Sequence, residues 1–156
     1  MWKVLKSDLS VSHGGGIPNM DHWPVTLGVK VAILCLDEVL LVTHAYQKTW
    51  GMPGGMIERG EHPAEAGARE IHEELDMDLA SLNLFGVYLN TREQKIDYVF
   101  LYTVHFDQKP QFTVDQVEVA DARWWPRRDL ASTLVGGRTR RRLKEIWGEV
   151  SVSHMW

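Results

Sequence analysis

The chain has 156 residues, 44% hydrophobic and 24% charged, which is the size and balance of one globular domain able to bury a core without disulfides. A formal net charge of −4 argues against a surface that coats DNA or RNA, which needs many cationic contacts, but leaves room for a small phosphate-bearing ligand. No apolar run is long enough to span a membrane, and the start of the chain does not read as a secretion signal.

Residues 1–24 form an N-terminal arm or connector, with the glycine-rich His13-Gly14-Gly15-Gly16 at its centre. The domain is expected over residues 25–148, followed by a tail over 149–156. Residues 25–36 alternate as a strand, with Val25, Leu27, Val29, Val31, Ile33 and Cys35 on one face and Thr26, Gly28 and Lys30 on the other. Cys35, the single cysteine, reads as a small core residue, and a lone buried cysteine fits a reducing, cytoplasmic setting. Asp37-Glu38 is expected to turn the chain into a second strand over 39–43. Trp50-Gly51-Met52-Pro53-Gly54-Gly55 is a turn-rich loop. A helix should start near Pro63, a residue suited to a first helical turn, and run to about Met77. Strands are expected over 85–89, 98–106 and 118–125, then a short helical turn over 126–130 and a final helix over 139–147. This order implies a small α/β domain around a mixed sheet.

The informative segment is Arg69-Glu70-Ile71-His72-Glu73-Glu74-Leu75. At about 100° per residue, Glu70, Glu73 and Glu74 share one arc, while Ala64, Ala68, Ile71 and Leu75 share another that can pack on the sheet. The bland reading is a solvated acidic face. Like charges three and four apart repel, however, and neither Glu70 nor Glu74 has a basic residue three or four positions away on the helix. A divalent cation turns that repulsion into binding, because clustered carboxylates are the hard ligands that Mg²⁺ or Mn²⁺ prefers. Upstream, Gly54-Gly55 lets backbone approach a ligand or metal closely.

Read as one stretch, Gly55-Met56-Ile57-Glu58-Arg59-Gly60-Glu61, seven further residues and Arg69-Glu70-Ile71-His72-Glu73-Glu74-Leu75-Asp76-Met77 resembles the Nudix box. Asp76 departs from it, standing where the family usually has a helix-ending glycine. The flanking Trp50 to Gly54 and Arg123-Trp124-Trp125 extend the resemblance over roughly residues 25–147.

The resemblance implies an α/β/α sandwich with a mixed central sheet. It implies Glu70, Glu73 and Glu74 as metal-binding carboxylates, together with Gly54. Arg69 would orient a catalytic glutamate, with Glu61 as its partner. Glu118 resembles the extra loop glutamate of some members, although a solvated strand-edge glutamate reads equally well. Gly55, Glu58, Arg92 and Tyr98 are candidates for substrate contact. The implied reaction is metal-dependent hydrolysis of a diphosphate bond in a nucleoside diphosphate linked to another moiety, with Mg²⁺ or Mn²⁺ lowering the pKa of a bound water and a carboxylate taking its proton. Glu70, Glu73 and Glu118 all stand open as the base. The rival is a catalytically silent, Nudix-like nucleotide-binding or regulatory domain.

The remaining features have plainer readings. The basic run Arg138, Arg140, Arg141, Arg142 and Lys144 reads as a solvated helix face more readily than as a phosphate contact. No pair among the seven histidines has a zinc spacing. Tyr46, Trp50 and Tyr98 are weak candidates for stacking on a base, and the seven tryptophans suit core packing or a homodimer interface.

Overall fold

The computed structural model describes residues 22–156 apart from Thr133 and the side chain of Glu93, so nearly all of the N-terminal arm lies outside the described residues. Strand β1 (Val25–Cys35) is central in a five-stranded mixed sheet of order β3-β4-β1-β2-β5. It runs parallel to β4 (Ile96–Phe106) and antiparallel to β2 (Glu38–His44). Strands β3 (Asn83–Asn90) and β5 (Val119–Pro126) pair antiparallel to β4 and β2 and form the edges.

Both faces of the sheet are covered. Val29, Val31, Ile33 and Leu40 pack with Ala66, Ile71 and Leu75 of helix α1 (Pro63–Leu75). Ala32, Leu34, Val39 and Leu41 pack with Leu143 of helix α2 (Gly137–Ile146) and with Trp50 and Trp125. This is the expected α/β/α sandwich. Each fully buried Ile or Leu contributes about 1.5–3 kcal/mol through the apolar surface it removes from water. The side of β1 that is polar at Thr26 and Lys30 turns apolar at Ala32 and Leu34, because α2 covers it from there onward.

Local boundaries follow from identifiable contacts. The β1–β2 turn falls on Leu36-Asp37, one residue earlier than expected, since Cys35 already pairs with Glu38. Leu36 sits at the tip with φ 51° and its side chain exposed, which keeps Val39 and Leu41 turned inward. Helix α1 opens at Pro63. The His62 side chain accepts from the Ala64 N–H at 3.2 Å, and Glu65 accepts from the His62 N–H at 3.2 Å. The helix ends at Leu75, two residues earlier than expected. Asp76 takes the left-handed conformation (φ 51°, ψ 40°) that its missing glycine would have supplied, and its N–H donates to the His72 carbonyl.

Residues 149–156, expected as a tail, lie on the edge of β3. The Leu89 N–H donates to the His154 carbonyl at 2.8 Å, and the Trp156 N–H donates to the Leu89 carbonyl at 2.9 Å. Trp50 and Trp125 are buried and pack in the core. No helix among the described residues is long and apolar enough to cross a membrane.

Candidate active site

Strand β1 pairs with β2 only over its last three residues, Ile33 to Cys35. Upstream, that edge of β1 is free, and residues 53–57 lie along it. The Val31 N–H donates to the Pro53 carbonyl (3.0 Å), the Val29 N–H to the Gly55 carbonyl (2.9 Å), and the Ile57 N–H to the Leu27 carbonyl (2.9 Å). These bonds fix Gly54-Gly55 against the carboxylate face of α1. The result is a cleft of about 730 Å3, lined by Lys30, Gly54, Gly55, Glu70, Glu74 and Glu118 among others.

Two of its carboxylates are buried. Glu74 is 2% exposed and Glu70 9% exposed. The Gly54 N–H donates to Glu74 Oε2 at 2.9 Å, and Lys30 Nζ donates to the Gly54 carbonyl at 2.6 Å. Burial pushes the Glu74 carboxyl up to about 7; Lys30 and the Gly54 N–H oppose the rise, and the Glu70 and Glu118 charges add to it. Burial also raises Glu70, against the pull of Arg69. Lys30 is lowered by burial and pushed back up by Glu74 and Glu70. His44 donates from Nδ1 to the Glu118 carbonyl at 2.8 Å, since a carbonyl can only accept. Its Nε2 then stands 3.8 Å from Glu74 Oε1, beyond hydrogen-bond length.

Arg69 ties the surrounding carboxylates together. Its Nε and Nη2 donate to the two Glu61 oxygens at 2.8 and 3.1 Å, and its Nη1 donates to Glu70 Oε1 and Glu73 Oε2, both at 3.0 Å. Nη2 also donates to the Met56 carbonyl at 3.0 Å, joining the helix to the loop. Hydrogen bonds from Arg69 and from the Glu58 N–H hold the Glu61 carboxyl below its ordinary value.

The structure therefore brings Glu70, Glu74, Glu118, Gly54 and Gly55 to one cleft, with Arg69, Glu61 and Glu73 as a network beside it. Three expected substrate contacts lie elsewhere. Glu58 is exposed in the turn before α1 and meets Glu61 through its backbone. Tyr98 alternates to the α1 side of β4, while its neighbours Asp97 and Val99 line the cleft. Arg92 is exposed and lines a different cavity. Sequence reasoning missed Lys30, His44 and Asp97 as site residues. Lys30 left a signal, the lone charged residue in a mostly apolar strand.

The NUDIX domain family model matches residues 26–145. The chain belongs to the Nudix family. The curated relatives it resembles include diphosphoinositol polyphosphate phosphohydrolase 2 of Rattus norvegicus, 37% identical over 81 residues, which are 48% of this chain and 45% of that protein. Diphosphoinositol polyphosphate phosphohydrolase 3-alpha of Mus musculus is 38% identical over 82 residues, 48% of this chain and 50% of that one. The alignments thus span about half the length of the curated relatives. Among solved structures, a MutT NUDIX hydrolase from Burkholderia pseudomallei superposes with a TM-score of 0.68 at 23% identity, covering 78% of this chain and 98% of that one. The MutT protein from Methanosarcina mazei Go1 gives 0.69 at 18% identity, covering 84% and 99%. At these identities the likeness carries the fold alone.

Members of the Nudix family generally use a divalent metal, and the donor chemistry of this cleft suits one. Two buried carboxylates with raised pKa values face it together, and a cation relieves both the burial cost and the mutual repulsion. Among the described residues no three His, Cys, Asp or Glu groups are gathered closely enough to enclose a metal unaided. An open site completed by water and substrate phosphate is the arrangement Mg²⁺ favours. Arg69→Lys is expected to weaken Mn²⁺ binding roughly 10–100-fold by calorimetry, because an ammonium cannot span Glu61, Glu70 and the Met56 carbonyl at once. Unchanged affinity in that variant would remove Arg69 from the site.

Proposed function

We propose that the chain is a divalent-metal-dependent diphosphohydrolase. It cleaves the diphosphate bond of a small-molecule nucleotide in which a nucleoside diphosphate is linked to another moiety, releasing a nucleoside monophosphate and the phosphorylated remainder. The observation that carries the reading is the buried Glu70–Glu74 pair facing one cleft beside the Gly54-Gly55 loop. Glu70 and Glu74 would hold Mg²⁺ or Mn²⁺, with Gly54 contributing backbone. The bound cation neutralises phosphate charge and lowers the pKa of water. Arg69 fixes the carboxylate geometry through Glu61, Glu70 and Glu73. The base is drawn from Glu70 and Glu118, which line the cleft, and Glu73 beside it; Arg69 Nη1 donates to both Glu70 and Glu73. The curated relatives' names record a phosphohydrolase acting on diphosphoinositol polyphosphate, which supports diphosphate chemistry here. The single, buried Cys35 supports a reducing, cytoplasmic setting.

One observation favours the rival, a silent binding domain. Lys30 bonds the Gly54 carbonyl and faces Glu74 and Glu70, so an internal ammonium already balances part of the charge a metal would meet. The deciding assay incubates the protein with Mg²⁺ or Mn²⁺ and a panel of nucleotide sugars, ADP-ribose-like compounds, dinucleoside polyphosphates and nucleoside triphosphates. The expected result is metal-dependent release of nucleoside monophosphate from at least one class. Silence across the panel, with nucleotide binding retained, would establish the rival.

A further inference from the structure

Beside the carboxylate cleft lies a second cavity of about 550 Å3, lined by Arg92, Arg138, Arg141 and Arg142 together with the N-terminal turn of α2 at Gly137. No carboxylate lines it among the described residues. Arg138 and Trp156 line both this cavity and the cleft, so the two spaces adjoin.

These arginines differ in what already engages them. Arg142 is 2% exposed. It donates from Nη1 to the Met155 carbonyl at 2.7 Å, pairs through Nη2 with Glu145 at 2.9 Å, and lies over the Tyr88 ring at 4.4 Å. Its Nε is buried with no partner among the described residues. Glu145 also takes Arg141 Nε and the Ser153 N–H on Oε1 and the Tyr88 hydroxyl on Oε2. The side chains of Arg92 and Arg138 meet no acceptor among the described residues. Among the described residues Glu145 therefore serves both Arg141 and Arg142, and no carboxylate bonds Arg92 or Arg138. The buried Arg142 shares that carboxylate with Arg141, and burial lowers its pKa against the pull of Glu145. Arg138, Arg141 and Lys144 keep the solvated helix face expected of this basic run, while Arg142 turns inward.

We infer that this arginine-lined cavity is a phosphate subsite, taking a phosphate monoester that the substrate carries beyond its scissile diphosphate. The inference rests on the diphosphohydrolase reading and narrows its substrate class to multiply phosphorylated nucleotides. Guanidinium forks pair with phosphate oxygens in bidentate fashion, and the uncapped start of α2 at Gly136 adds backbone N–H groups of the same polarity. A cavity of this size that adjoins the cleft fits a small substrate that spans both spaces.

The test has two arms. In metal-free buffer, calorimetry follows inorganic tripolyphosphate binding to the wild type, to the Arg92→Gln/Arg141→Gln double variant, and to Arg128→Gln, an exposed arginine outside the cavity. The double variant is expected to bind at least tenfold more weakly, and Arg128→Gln like the wild type. In the kinetic arm, with Mg²⁺, two matched pairs are compared: dephospho-coenzyme A with coenzyme A, and ADP-ribose with its 1″-phosphate. The phosphate-bearing member of at least one pair is expected to have a kcat/KM at least tenfold higher, and the double variant to bring that ratio close to one. Equal tripolyphosphate affinity in the double variant, or a ratio it leaves intact, overturns the subsite. So does RNA binding that depends on these arginines while tripolyphosphate and both pairs are indifferent to them. If nothing is hydrolysed, the diphosphohydrolase reading falls, and the tripolyphosphate arm still decides whether the cavity binds phosphate.

Discussion

Glu74→Gln is expected to fold normally and to lose roughly a thousandfold in metal-dependent diphosphate hydrolysis. Metal stabilisation of phosphoryl charge is worth several kcal/mol, and each 1.36 kcal/mol is about tenfold in rate. Gln keeps the shape and one carbonyl oxygen, so the Gly54 N–H retains an acceptor while the negative charge disappears. The buried Ile71 and Leu75 that seat α1 are untouched. Stability against pH supplies an independent readout. The folded Glu74 carboxyl is raised from 4.5 to about 7, so the folded state holds this proton more tightly than the unfolded chain does. That contribution is fully present below the ordinary carboxylate value and lost as pH rises toward and through about 7. Glu70, also raised, acts in the same direction. Glu61 is lowered and acts the other way, but its contribution changes only at pH values below the ordinary carboxylate range. Without metal, the wild-type Tm should therefore fall between about pH 5 and 8. Glu74→Gln should flatten that fall, and Mg²⁺ should abolish it in the wild type, since only the ionised carboxylates bind a cation. Near-normal turnover in Glu74→Gln would remove this residue from the metal site. A Tm profile identical to wild type would mean that its burial carries no electrostatic cost.

The contrast between residues that were legible in the sequence and those that were not has a physical origin. The spacing of Glu70, Glu73 and Glu74 is a property of one helix, and helical geometry carries it directly from sequence to space. The split of β1 into two buried faces was half legible. Alternation marked Val29, Val31 and Ile33, but Ala32 and Leu34 are apolar because α2, more than a hundred residues downstream, covers them. Lys30 and His44 reach Glu74 from β1 and β2 across the sheet, so no local spacing announces them. Glu58 and Glu61 lie in the same turn and looked alike. Only Glu61 is within reach of Arg69, and Glu58 contributes backbone alone. The segment 149–156 carried no periodicity, and its placement depends on the free edge of β3 and on Arg142, which a reading of its own residues cannot supply. Arg92 was expected as a substrate contact, and it lines the arginine cavity that adjoins the carboxylate cleft.

Two neighbouring glycines should separate fold from site, and Gly54→Ala should have the larger effect on stability. Gly54 has φ +123°, a conformation that residues bearing a Cβ rarely adopt, and a Cβ there would run into the backbone carbonyl of Val29. Val29 lies in the central strand and is fully buried, so it cannot move without disturbing the pairing of β1 with β4. The expected loss is roughly 3–5 kcal/mol, or a Tm drop of about 10 °C. At Gly55 the φ is not positive, and an added Cβ would stand 2.5 Å from both Glu70 carboxylate oxygens. Those atoms are the far end of a flexible side chain, which can swing aside at little cost to the fold. Gly55→Ala should therefore keep its Tm within a few degrees of wild type. It should lose about a hundredfold in turnover and in Mn²⁺ affinity, because a displacement near 1 Å at a catalytic group costs on that order. Thermal unfolding and metal titration on the two variants check both halves. A destabilised Gly55→Ala with normal Mn²⁺ binding would show that the glycine pair serves the strand edge alone and that Glu70 does not depend on the gap beside it.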